Sequence, residues 1–147
     1  MKQIFQELST GKCTVYDIPL PSNKKGYLLI ETQISLISAG TEKMLLDFGK
    51  SNLIEKAKMQ PDRVQDVIDK IKTDGLISTY ESVQRKLNEP IPLGYSNVGR
   101  VVQVGEGVTN FKVGDRVLSN GAHAEIVSVP QNLCCKIPRE VNNAEAS

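Results

Sequence analysis

The sequence predicts a mainly β protein with a helical insertion, its short strands folded into a small barrel or a bent sheet. Three observations carry this. Two stretches of period-two hydrophobicity flank one stretch with the 3.6-residue period of a helix. Glycine and proline cut the flanking stretches into short pieces, as strands in a small barrel require. Charge is concentrated in the middle, where residues 42–90 hold 18 of the 35 charged side chains, nine acidic and nine basic.

In chain order, Thr14-Val15-Tyr16-Asp17-Ile18 reads as a strand closed by Pro19 and Pro21. The polar turn Ser22–Gly26 leads to a longer strand from about Tyr27 to Ser38. Within it Leu28, Ile30, Thr32 and Ile34 share one face, with Glu31 and Gln33 on the other. A first helix from about Met44 to Met59 is expected to break at Gly49. Val64, Val67, Ile68 and Ile71 then fall at i, i+3, i+4 and i+7, behind a first turn of Pro61 and Asp62. Asp74-Gly75 ends that helix, and Leu76, Tyr80, Val83 and Leu87 form a second stripe stopped by Pro90 and Pro92. Mixed charge on such helices serves solvation as readily as binding. Val98–Val104 returns to a strand, with Val98, Val102 and Val104 on one face, Arg100 between them, and Val101 turned away. Three more short strands follow at Asp115–Leu118, Ala124–Val129 and Leu133–Ile137, with Asn120-Gly121 as a hairpin signal.

Composition narrows the function. The 147 residues carry a formal charge of +1, which gives no electrostatic reason to expect nucleic acid or an anionic membrane as partner. No apolar run is long enough for a membrane span, and Met1–Glu7 turns polar too soon for a secretory signal, so cytoplasm is the expected location. Cys13, Cys134 and Cys135 lack C-x-x-C spacing, and one copy of the chain cannot build a four-cysteine zinc site. They read best as small buried apolar residues.

From Pro92 a specific string appears: Pro92-Leu93-Gly94-Tyr95-Ser96-Asn97-Val98-Gly99-Arg100-Val101-Val102-Gln103-Val104-Gly105, then Phe111-Lys112-Val113-Gly114-Asp115-Arg116-Val117. This resembles the N-terminal GroES-like catalytic domain of medium-chain dehydrogenases/reductases, the zinc-type alcohol dehydrogenase superfamily. Gly121-Ala122-His123-Ala124-Glu125 is similar to the family's G-x-x-A-E segment, and Ser38-Ala39-Gly40-Thr41-Glu42 to its C-G-T-D element. The resemblance implies a GroES-like β-barrel over residues 1–147, with a helical insertion at about 42–90 replacing a short connection. A narrower resemblance, through Lys70-Ile71-Lys72-Thr73-Asp74-Gly75 and Leu93-Gly94-Tyr95, is to bacterial two-domain oxidoreductases of surface-polysaccharide biosynthesis.

The family chemistry carries over only in part. Where zinc members hold the catalytic metal with the C-G-T-D cysteine and the histidine of a G-H-E element, this chain has Ala39, Tyr95 and Ser96. A methyl group cannot ligate zinc, and neutral tyrosine and serine are poor ligands, so no zinc is expected. His123 alone is no site and reads as structural. By analogy with the zinc-free branch, Thr41 would relay a proton beside the nicotinamide, Gly40 and Thr41 would border the cofactor, and Tyr95 would donate a hydrogen bond to a substrate oxygen. The blander readings are that Thr41 caps the helix after it and Tyr95 packs in the barrel. No G-x-G-x-x-G within a βαβ unit is present, so tight NAD(P) binding would need a C-terminal nucleotide-binding domain that is absent here.

The expectation is therefore the catalytic or substrate part of a zinc-independent NAD(P)-dependent oxidoreductase, acting on a small molecule for which the narrower resemblance suggests a sugar-linked one, inactive as this chain alone. The alternative is a non-enzymatic GroES-like module for docking or homo-oligomerisation through the helices. A cochaperonin reading is weaker, because the F-x-x-G-D-R-V and G-x-x-A-E segments are those of dehydrogenases.

Overall fold

The structure is a computed structural model describing all residues, Met1–Ser147. The chain forms two compact units: Met1–Phe5, Thr14–Ser38 and Pro92–Ser147 make up the first, Gln6–Cys13 and Ala39–Ile91 the second. The eight strands are β1 (Lys2–Glu7), β2 (Cys13–Asp17), β3 (Tyr27–Ser35), β4 (Pro90–Pro92), β5 (Asn97–Val104), β6 (Arg116–Ser119), β7 (Ile126–Pro130) and β8 (Cys134–Lys136). They pair as a three-stranded sheet, β2-β1-β4, and a five-stranded antiparallel sheet, β7-β3-β5-β6-β8. The fold is thus mixed, and the strands do not close into the expected barrel: β7 and β8 stay at the two edges of their sheet.

The core lies on the larger sheet. Leu28, Ile30, Val101, Val117, Ala124, Val127 and Val129 form one buried cluster. β3 is central, paired on both sides, and buries Leu28, Leu29 and Ile30 in succession where simple alternation would expose Leu29. Its pairing with β5 is irregular: Leu29 faces Gln103 and Ile30 faces Val101, so Val102 is an extra residue. That bulge reverses the expected face, burying Val101 and leaving Val102 40% exposed. Asn120-Gly121 makes no hairpin, since β6 pairs with β5 and β8 and never with β7. Gly121 is buried there, and a Cβ on it would meet Val127 Cγ2 at 2.7 Å, so its glycine serves packing. β1 was not expected, because the fully buried Gln6 interrupts its apolar pattern. The cysteines also depart from expectation: Cys13 and Cys135 are exposed and only Cys134 is half-buried.

The second unit carries α1 (Thr41–Lys50), α2 (Leu53–Met59), α3 (Pro61–Asp74) and α4 (Leu76–Asn88). α3 and α4 follow the apolar stripes, with Pro61 in the first turn of α3 and Gly75 at φ 86° between the two. Helix α1 runs through Gly49, and the break falls at Ser51-Asn52, where Asn52 and Glu55 form a capping box for α2. The buried residues of this unit are polar or glycine: Gln6, Gly11, Glu42, Gly49, Lys56 and Thr79. Lys56 satisfies its ammonium with the carbonyls of Gly49 (2.9 Å) and Ser51 (2.7 Å), which terminates α1. A short final helix, α5 (Asn143–Ala146), belongs to the first unit.

Candidate active site

Tyr95 sits on the segment Leu93–Ser96 between β4 and β5, and backbone hydrogen bonds hold it on three sides. Leu93 N–H donates to the Ile4 carbonyl (3.0 Å), His123 N–H donates to the Leu93 carbonyl (2.8 Å), and Leu36 N–H donates to the Ser96 carbonyl (3.2 Å). Gly94 takes φ 95°, a conformation side chains resist, and lies against His123: a Cβ there would stand 2.7 Å from both His123 Cγ and its backbone nitrogen. The His123 residue is buried at 6% exposure and its backbone also accepts from Ile4, so it acts as a packing post for this segment. Tyr95 itself is 48% exposed, which removes the reading in which it merely packs in the interior.

The phenol lines a groove of about 370 Å³. Ser96, Asn120 and Asn132 contribute polar groups to it, and Leu118 and Leu133 contribute apolar surface. Cys134, on the same wall, has its thiol pushed by burial up to about 11, so it is uncharged near neutrality. Beneath the groove Asn97 is fully buried and donates to Thr32 Oγ1 (2.7 Å), while Ser119 Oγ donates to the Asn97 carbonyl (3.4 Å). This polar pair ties β5 to β3 and β6 and so fixes the groove's floor. A larger cleft of about 560 Å³ along β7 is lined mainly by Met1, Ile18, Pro19 and the β7 side chains, and holds none of the expected site residues.

Gly40 and Thr41 lie in the second unit, where Gly40 is the N-cap of α1 and Thr41 its first residue. The helix therefore starts one position before Glu42, and Thr41 is not its cap. Both residues are exposed, whereas Glu42 is buried. A Cβ on Gly40 would meet nothing within 4 Å, so open space lies before the helix. Of the residues lining this groove, Tyr95 is the one that the sequence singled out for a role, and Asn120 and Asn132 were not singled out. Asn120 directly follows β6, three residues past the end of the Gly114–Val117 string; Asn132 is brought in only by the turn into β8. No three His, Cys, Asp or Glu side chains converge closely enough to hold a metal ion.

Residues 68–139 match the alcohol dehydrogenase GroES-like domain family. The match spans just under half of the chain, and the relatives below are oxidoreductases. Over that span the chain is similar to medium-chain dehydrogenases/reductases. It is 37% identical over 62 residues to a probable quinone oxidoreductase of Leishmania amazonensis, covering 41% of this chain and 18% of that protein. It is 39% identical over 74 residues to a sorbitol dehydrogenase of Halalkalibacterium halodurans, covering 48% of this chain and 21% of that protein. Among solved structures, a mycobacterial protein in complex with NADPH aligns over 99% of this chain and 36% of its own, at 24% identity and TM-score 0.63, a likeness of fold. The chain thus spans only 18% and 21% of the length of these two curated relatives.

Proposed function

We propose that this chain is the substrate-binding part of a zinc-independent NAD(P)-dependent oxidoreductase, with Tyr95 as the hydrogen-bond donor to the substrate oxygen. The observation that carries the reading is Tyr95, exposed at the groove at the position where zinc members carry a histidine ligand. The donor set does not fit a catalytic zinc, because Ala39, Tyr95 and Ser96 stand where ligand-bearing residues would be. NAD(P)H, held by a nucleotide-binding portion C-terminal to Ser147, would supply the hydride. This chain's residues have the other tasks. The Tyr95 hydroxyl polarises a carbonyl and stabilises the oxyanion that develops on it. Thr41 and Gly40, in the second unit, take their proposed roles, proton relay and border of the cofactor, from their match to the family's C-G-T-D element.

The groove is lined mainly by apolar surface, with Ser96, Ser119, Asn120 and Asn132 as its polar residues, so the sugar-linked substrate is supported by the resemblance around Leu93-Gly94-Tyr95 and not by the lining. The product of the whole gene tests this: elemental analysis should find well under one zinc per chain, and NADPH consumption should be faster with sugar-linked carbonyls than with quinones. One zinc per chain, or preference for quinones, would sink the corresponding part. A cytoplasmic enzyme is the setting this chemistry implies.

A second reading, a non-enzymatic docking or homo-oligomerisation module, draws support from Ile68, Leu76, Ile77 and Tyr80, which are 42–77% exposed on α3 and α4. Light scattering across a hundredfold range of concentration separates the two: a constant monomer mass removes the oligomer.

A further inference from the structure

The string Gly114-Asp115-Arg116-Val117 takes no part in the groove chemistry, yet its two charged side chains are fully engaged. Asp115 accepts from Lys136 Nζ of β8 (3.0 Å) and from the Lys112 backbone N–H (3.0 Å). The Arg116 carbonyl accepts from Ile137 N–H (3.0 Å). The Arg116 guanidinium reaches further along the same outgoing segment. Its Nη2 donates to the Val141 carbonyl (2.7 Å) and to Asn143 Oδ1 (2.7 Å), and its Nε donates to Asn143 Oδ1 (3.0 Å). Asn143 is gripped from its other end as well, its Nδ2 donating to Gln33 Oε1 of β3 (2.6 Å). Gln33 and Arg116 stand on strands separated by β5, so this one asparagine links β3 to β6 across it.

We infer that Arg116 and Asn143 form a clasp that fixes the direction in which the chain leaves the sheet, making them positioning residues for whatever follows Ser147. Two features separate the clasp from an ordinary surface contact. The guanidinium fork binds a backbone carbonyl and a side-chain carbonyl at once through three N–H contacts, a fixed set of donors that lysine does not have. The clasped residue is also the first of α5, whose cap Asn142 accepts from Ala144 N–H (2.9 Å) and Glu145 N–H (3.0 Å). Holding Asn143 therefore holds the orientation of a helix start that would otherwise fray. The importance of the clasp for catalysis rests on the proposed function, since orienting a nucleotide-binding portion matters only if there is one. The clasp itself does not depend on that reading.

Hydrogen exchange on the 147-residue chain tests it. The amides of Ala144, Glu145 and Ala146 should exchange at least tenfold more slowly than free peptide, and Arg116→Ala should erase that difference while leaving amides of β3 and β5 unchanged. Asn143→Ala removes the same grip from a half-buried position outside the sheet, and should give the same result. Arg116→Lys should recover at most part of the protection. Unchanged exchange at Ala144–Ala146 in Asn143→Ala would overturn the clasp. If the clasp variants lose protection but the whole gene product keeps full turnover, the clasp stands and its assigned role in catalysis falls.

Discussion

Replacing Gly94 by alanine should be among the most damaging single-methyl changes available to this chain. Two costs combine. The backbone at φ 95° lies where a side chain is strained, at about 1–3 kcal/mol. The added Cβ would stand 2.7 Å from His123 Cγ and from its backbone nitrogen, the latter fixed by its hydrogen bond to the Leu93 carbonyl. Overpacking of that kind costs about 1–3 kcal/mol more. A loss of about 2–6 kcal/mol follows, a large share of the ~5–15 kcal/mol that holds a typical domain folded. Urea denaturation should show it as a lower midpoint with an unchanged slope. Gly40→Ala is the control: its Cβ would meet nothing within 4 Å, and the change should stay within about 0.5 kcal/mol. If Gly94→Ala proved as silent as Gly40→Ala, the account of how the Tyr95 segment is held would be wrong.

Three further outcomes follow from the same geometry. Gly49→Ala should destabilise by about 1–2 kcal/mol although alanine is the better helix former, because the new Cβ would run into the Gly11 backbone, with the Gly11 nitrogen at 2.8 Å; a rise in Tm would refute this. In alkylation with iodoacetamide at pH 8, Cys134 should lag far behind Cys135, since burial pushes its thiol up to about 11 and leaves on the order of one thiolate in a thousand; equal labelling by mass spectrometry would contradict it. Burial alone would raise the Asp115 carboxyl, but the Lys136 ammonium and the Lys112 N–H outweigh it and hold the group below the usual carboxylate range. Its contribution is therefore present above a pH of about 4 and lost as pH falls through the lowered value, so Asp115→Asn should flatten the acid limb of the stability profile.

What the sequence made legible, and what it hid, divides along physical lines. The start of α3 at Pro61 and the break at Asp74-Gly75 before α4 were readable because stripe, proline start and glycine stop are all local signals, whereas α4 ends at Asn88, short of the prolines expected to stop it. β3 was readable in place, but its burial on both sides of the strand comes from pairing with β5 and β7, which no local pattern encodes. β1 was hidden because Gln6 takes a core-like position by donating to the Leu45 carbonyl (2.8 Å), a bond 39 residues distant in sequence. Gly49 misled because its usual meaning as a breaker was overridden by close contact with Gly11. At the candidate site, Tyr95 was visible through the motif around it, whereas Asn120 and Asn132 arrive from two turns that only the sheet order brings together.

The central claim is that Tyr95, with no zinc, provides the electrophilic help to the substrate. It is tested most directly by following NADPH oxidation in the product of the whole gene, comparing the parent with Tyr95→Phe in the presence and absence of a strong zinc chelator. The account predicts turnover indifferent to the chelator and lower by about a hundredfold or more in Tyr95→Phe, the usual loss on removing one such donor. Turnover abolished by the chelator and restored by zinc, or a Tyr95→Phe enzyme as fast as its parent, would contradict it.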